Sequence, residues 1–167
     1  DGKECPVNVP GEIFMRQISV PDFDYQGRPE ARAEAGREGL ISVGDVGYLD
    51  EDGYLFMCDR KRDMVISGGV NIYPAEIENA LIGMDGVRDC AVFGVPDDEF
   101  GERLVGCVEL ESGVTLAAPE IQAWLKQKLA NFKVPKEIHF HDALPRESTG
   151  KIFKRKLRDQ YGSSTVA

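Results

Sequence analysis

Residues 64–84 read MVISGGVNIYPAEIENALIGM, and this stretch decides the architecture of most of the chain. An apolar run is broken by Gly68-Gly69, resumes, and stops at Pro74. Proline suits the first turn of a helix, because the N–H it lacks would have no intrahelical partner there. Ile77, Ala80, Leu81 and Met84 then recur at i, i+3, i+4 and i+7, which lays one apolar stripe along a helix. A strand or hairpin followed by an amphipathic helix is the expected unit.

Beyond it, RDCAVFGVPD (88–97) is a nearly continuous apolar run, expected as a buried strand ending at Pro96, and LVGCVELES (104–112) reads as a second strand. APEIQAWLKQKL (118–129) places Ile121, Trp124, Leu125 and Leu129 on one helix face. KEIHFHD (136–142) reads as a short strand and KIFKRKLRDQY (151–161) as a basic helix. Residues 60–167 are therefore expected to form a small α+β domain with about three strands and packed helices.

Residues 1–59 read as β-rich. GEIFMRQISV (11–20) carries short apolar runs, and the polar DYQGRPEARAEAGREG (24–39) reads as a loop or a short exposed helix. LISVGDVGYLDEDGYLFMCDR (40–60) gives two short strands around a turn, with Asp52-Gly53 as the hairpin signal. The charged DRKRD (59–63) marks the boundary. DEDG also invites a calcium loop, but after Gly53 and five further residues stands Asp59 rather than the required Glu.

Composition narrows the function classes. The apolar share of 42% and charged share of 29% are those of a globular chain. Lys and Arg total 20 against 29 Asp and Glu, a net charge of −9, which argues against general affinity for nucleic acid or anionic membrane. No window approaches the ~18 apolar residues of a transmembrane segment. The opening DGKECPVNVPGE has neither a basic start nor an apolar signal-peptide run, and it lacks an initiating Met, so a piece of a longer chain is expected. Cys5, Cys58, Cys90 and Cys107 show no C-x-x-C spacing; reduced thiols in a cytoplasmic setting are expected.

Several residues could carry chemistry. Ser67-Gly68-Gly69 allows close backbone approach to a ligand, with N–H groups suited to an anion, but also fits a plain turn that needs positive φ. Asp45 could accept hydrogen bonds from ribose hydroxyls or serve as a turn residue, and Arg60, fifteen positions on, could face the same space. His139 and His141 share one strand face, yet no third metal ligand stands at a usual spacing, so surface histidines are the default and no metal site is assigned. Phe100, in the polar PDDEFGE loop, fits a contact residue or a packed anchor. Gly150-Lys151 precedes a dense basic run. It is not a phosphate-binding P-loop, since Ile152 follows the lysine instead of Ser or Thr. A lysine on a mobile glycine-flanked loop still suits a transferring phosphoryl or carboxylate group. The basic run itself reads as a solvated helix face.

GDVGYLDEDGYLFMCDRKRDMVISGGVNIYPAEIE (44–78), LANFKVPK (129–136), LPRESTGKI (144–152) and GEIFMR (11–16) together resemble the C-terminal part of the adenylate-forming superfamily, most of all its acyl-CoA synthetases (fatty-acid and aryl-acid CoA ligases). The resemblance implies that residues 1–59 are the tail of an N-terminal adenylation domain and 60–167 a C-terminal lid. It implies ATP, Mg2+ and CoA as the parent enzyme's cofactors and a carboxylic acid as its substrate. Residue by residue, it implies that Asp45 and Arg60 bind the nucleotide and that Arg62 is the hinge, where Asp or Lys is usual. Ser67, Gly68 and Gly69 would line the CoA tunnel, Phe100, Phe132 and Lys136 would contact the CoA nucleotide, and Lys151 would be the catalytic lysine. The phosphate loop and acyl pocket of that family are not among these residues, so the chain by itself is expected to be inactive. A carrier-protein phosphopantetheine acceptor and a non-catalytic binding module are the alternatives.

Overall fold

The computed structural model describes residues 2–16, 18, 19, 23 and 25–162. The chain divides into two compact units, Asp1–Arg62 and Asp63–Ala167.

In the first unit, β1 (Gly11–Glu12) is followed by α1 (Pro29–Ala35), β2 (Gly36–Arg37), β3 (Leu40–Ile41), β4 (Asp45–Leu49) and β5 (Leu55–Arg60). β1, β4 and β5 form an antiparallel sheet in that order, and β2 and β3 form a separate hairpin. Of GEIFMRQISV (11–20), the described residues hold β1 and a single bridge between Met15 and Ile41. Gln17 and Val20 of that stretch, and Asp24 of the polar segment, lie outside the described residues. The polar segment is both a short helix and a two-residue hairpin. The DEDG turn closes β4 onto β5 as predicted. Only Gly53 has positive φ there (+81°), with Asp50 N–H donating to Tyr54 O and Gly53 N–H to Asp50 O. That is a turn ending in a glycine bulge, not the mirror-image two-residue turn. Asp50 Oδ1 accepts the Asp52 and Tyr54 N–H groups, at 3.0 and 2.8 Å, which is a reason for acidic residues here that involves no metal.

The second unit follows the predicted order. β6 (Val65–Ser67) and β7 (Val70–Ile72) make a hairpin; α2 (Pro74–Ile82), β8 (Val87–Asp97), β9 (Gly101–Leu110), α3 (Ala118–Lys128), β10 (Glu137–His141) and α4 (Lys154–Gly162) complete it. Five strands form the sheet rather than about three, because the run around Gly68-Gly69 folds back on itself as two. β8 pairs antiparallel with β9 from Val87↔Leu110 to Asp97↔Gly101. β10 runs parallel to β9, which requires a long crossover, supplied by α3 and the turn Asn131–Lys133.

The apolar runs of β8 and β9 follow from burial on both faces. Cys90, Val92, Leu104 and Val108 pack with Ile77 and Leu81 of α2 and Ile121 and Leu125 of α3. Ala91, Phe93, Val95, Val105 and Cys107 pack with Leu144 and with Leu157 of α4. Met84 lies two residues beyond α2 and still joins the first cluster. α4 starts at Lys154, not at Lys151, because Ile152 is held in a bridge to Arg146 and Phe153 N–H donates to Pro145 O at 2.7 Å. Burial pushes the Cys90 and Cys107 thiols up to about 12, so both are inert in the folded chain.

Candidate functional site

Asp45 and Arg60 meet because of a bulge. β4 and β5 pair Gly47 with Met57 but Asp45 with Arg60, with the register shift lying between Val46 and Gly47. An unbulged ladder would set Asp59 opposite Asp45, two like charges across a strand pair. The shift brings Arg60 Nε to 3.0 Å from Asp45 Oδ1. Val43, Gly44, Arg60, Lys61 and Arg62 line an open concavity beside this pair.

Three residues that sequence reasoning did not single out hold that concavity. Glu12 accepts the Ser42 hydroxyl at 2.8 Å and the Lys61 ammonium at 2.6 Å, and Gly44 N–H donates to Ser42 Oγ at 3.0 Å. The Lys61 hydrogen bond, opposed in part by burial, holds the Glu12 carboxyl below the usual carboxylate range. Glu12 lies inside GEIFMR, and Lys61 was read only as part of a charged link; their meeting depends on β1 pairing with β4.

Arg62 stands between two fastened neighbours. Lys61 N–H donates to Gly44 O at 2.8 Å, and its ammonium is held by Glu12, both in the first unit. Asp63 pairs with Arg158 of α4 at 2.8 Å in the second unit.

In the second unit the Ser67–Val70 turn has φ of +57° at Gly68 and +78° at Gly69, the mirror-image hairpin turn that two glycines adopt without strain. Gly68 N–H donates to Phe100 O at 2.9 Å, so this N–H is occupied rather than offered to an anion. Ser67 pairs with Gly101, and Asp97 Oδ1 accepts the N–H groups of Glu99 and Phe100, which fixes the β8–β9 turn against the glycine turn. The half-exposed Phe100 ring sits beneath the Lys136 ammonium, 5.5 Å from the ring centre. Ser67, Gly68, Gly69, Phe100 and Lys136 therefore form one patch. Phe132 is 55% exposed, with the Lys133 ammonium 5.9 Å from its ring. Lys133 is in turn paired with Glu76 at 2.6 Å.

Lys151 stands on a different end of the same sheet. Its loop is a hydrogen-bonded turn: Gly150 N–H donates to Glu147 O at 2.9 Å and Glu147 N–H to Lys151 O at 2.8 Å, with Gly150 at φ +85°. This repeats the Asp50–Tyr54 turn. Lys151 is exposed, and its ammonium has no ion-pair partner among the described residues. The turn is tied to Asp89 near the start of β8, whereas the glycine patch is tied to Asp97 at its end. Those positions are separated by roughly 25 Å of extended strand.

His139 and His141 are half-buried and share one aromatic neighbour. The His139 ring stacks on Tyr161 at 4.1 Å, and His141 Nε2 lies 2.9 Å from the Tyr161 hydroxyl, because α4 covers that face of β10. Burial first, and the neighbouring His139 second, lower the His141 pKa. Among the described residues no group of three or more His, Cys, Asp or Glu is placed to hold a metal. No helix there is long and apolar enough to cross a membrane.

Residues 76–151 match the family model of the AMP-binding enzyme C-terminal domain. Over 161 residues the chain is 46% identical to a feruloyl-CoA synthase of Amycolatopsis, covering 96% of this chain and 33% of that protein. It is 39% identical to the fatty acid–[acyl-carrier-protein] ligase ScoC of Streptomyces coeruleorubidus, over 96% of this chain and 31% of that one. Among solved structures, ATP-bound MatB from Rhodopseudomonas palustris aligns with a TM-score of 0.87 at 38% identity, covering 97% of this chain and 32% of that one. The chain spans about a third of the length of the curated relatives it matches. By these matches and the shared fold, the chain carries the C-terminal domain of the AMP-binding, adenylate-forming enzymes, and over nearly all of its length it is similar to acid–CoA ligases.

Proposed function

We propose that this chain supplies the lid and part of the nucleotide site of an ATP-dependent acid–CoA ligase, and that both half-reactions of the parent enzyme use the lid in turn. The parent converts a carboxylic acid, ATP and CoA to acyl-CoA, AMP and pyrophosphate through an acyl-adenylate. The observation that carries this reading is the separation of Lys151 from the Ser67–Gly69 patch along β8. One rigid sheet holding two chemically distinct sites that far apart presents them to one substrate only by turning.

In the first half-reaction the substrate carboxylate attacks the α-phosphate of ATP and pyrophosphate leaves. The exposed Lys151 ammonium is suited to the charge that builds on the carboxylate and α-phosphate oxygens. Asp45 accepts the ribose hydroxyls and Arg60 contacts the same nucleotide, an arrangement favoured by their pairing across the bulge. In the second half-reaction the lid turns about Arg62. The CoA thiol then displaces AMP while Ser67, Gly68 and Gly69 line the pantetheine path and Phe100, Phe132 and Lys136 meet the CoA nucleotide. No residue of this chain is assigned to the Mg2+ that accompanies ATP. The 167 residues contain no Gly/Ser/Thr-rich phosphate loop, so this chain alone makes no acyl-adenylate. N-terminal adenylation-domain residues are its functional partner.

The test is Lys151→Ala in the full-length ligase. Pyrophosphate release should fall by on the order of a hundredfold or more, while thioester formation from supplied acyl-adenylate persists. Equal retention of both half-reactions would refute the assignment. A carrier-protein acceptor is the second reading, favoured by the similarity to an acyl-carrier-protein ligase. Supplying free CoA and phosphopantetheinylated carrier separately to the full-length enzyme distinguishes the two.

A further inference from the structure

Two surface ion pairs fasten the two ends of the Lys151 turn. Arg146 enters the turn with Nη2 on Asp89 Oδ2 of β8 and Nη1 donating to Gly150 O at 3.0 Å. Asp89 is itself oriented, since its other oxygen accepts Cys90 N–H at 2.9 Å. Two residues earlier, Leu144 N–H donates to the buried Glu109 carboxylate at 2.9 Å. On the far side, Lys154 Nζ lies 2.7 Å from Glu78 Oε1 of α2, and that same oxygen accepts Val92 N–H of β8 at 2.7 Å. The carbonyl that Arg146 holds belongs to the residue directly before Lys151. The pair is partly exposed, with 42% and 27% of the two side chains open to water, so as a surface pair it adds little to folding. Its geometry has another consequence: one planar guanidinium joins the strand to the peptide that carries the lysine.

We infer that Arg146, oriented by Asp89, is a positioning residue that fixes the Gly150–Lys151 peptide for the adenylation half-reaction. This rests on the role proposed above for Lys151. A lysine displaced by even about 1 Å from its charge target loses on the order of a hundredfold in rate. Lysine in place of Arg146 cannot reproduce the clamp in full, because a point ammonium does not supply the two diverging N–H groups of the fork.

The experiment compares Arg146→Gln, Arg146→Lys, Asp89→Asn and Lys151→Ala in the full-length ligase, assaying each half-reaction. Arg146→Gln should lower the rate of pyrophosphate release by about tenfold or more, with the KM for ATP changed less than about threefold and thioester formation from supplied acyl-adenylate intact. Arg146→Lys and Asp89→Asn should fall between Arg146→Gln and the unmodified enzyme. In the 167-residue chain, Arg146→Gln should speed amide exchange at Glu147, whose N–H closes the turn onto Lys151 O. Adenylation within twofold of the unmodified enzyme in Arg146→Gln, with loss in Lys151→Ala, would overturn the clamp and leave Lys151 standing. Equal loss of both half-reactions in Arg146→Gln would also overturn it, as a merely structural role. Retained adenylation in Lys151→Ala would overturn the role of the lysine itself, and the clamp's catalytic purpose with it.

Discussion

Leu157→Ala tests whether α4 is held by packing. The helix is nine residues long and rich in Lys and Arg, too short to be stable in water by itself. Leu157 is fully buried, against a sheet face that includes Phe93, Val105 and Cys107, and Ile152 and Tyr161 flank it with partial burial. Truncation removes the buried isopropyl end of the side chain, a transfer loss of about 2 kcal/mol. The cavity left behind raises the total to about 3–5 kcal/mol, because the sheet is anchored from its other face by α2 and α3 and cannot collapse into the gap. Trp124 is the chain's one tryptophan and lies in the second unit, with Nε1 donating to Ala80 O at 2.8 Å, so its fluorescence reports that unit. With a urea slope of about 1–3 kcal/mol per molar, the midpoint should fall by at least about 1 M at unchanged slope. A loss below about 1 kcal/mol, well under the range for buried leucines, would refute the picture of α4 as part of the core.

Gly68→Ala places a side chain at φ +57° with its Cβ 3.4 Å from the Phe100 ring, so it should cost about 1–2 kcal/mol in the same urea assay; no change would sink the mirror-image turn. The His141 pKa is lowered by burial, so the folded state binds fewer protons; its stability contribution is full above the ordinary value of 6.5 and is lost as pH falls through the lower folded value. The thermal midpoint should therefore drop between pH 7 and 5, and His141→Gln should flatten that slope; an unchanged slope in the variant would exclude His141 as its source. Cys5 is exposed and should label readily with a thiol reagent at pH 7, whereas Cys90 and Cys107, with thiols raised to about 12, should label only as the chain opens. Fast labelling of Cys107 in the folded chain would contradict the packing of α4 over it.

The sequence by itself determined the order of elements in the second unit and most of their buried faces. Ile77 with Leu81, and Ile121 with Leu125, are legible because helical periodicity is a local property of the chain. It also marked Lys151, Asp45 and Arg60, through motif residues whose types and order survive without coordinates. What it could not supply were facts set by pairing between distant segments. The bulge that puts Arg60 rather than Asp59 opposite Asp45 leaves no local signature, since either register satisfies the alternation. The meeting of His139 and His141 with Tyr161 was not legible either, because nothing near them in sequence announces a residue twenty positions beyond His141. The clamp of Asp89 on Arg146 spans 57 residues, and the fastening of Lys61 by Glu12 spans 49. Each joins charges that look like ordinary solvated surface until the sheet brings them together. Local pattern thus named the candidate residues, and tertiary pairing decided which neighbours hold them in place.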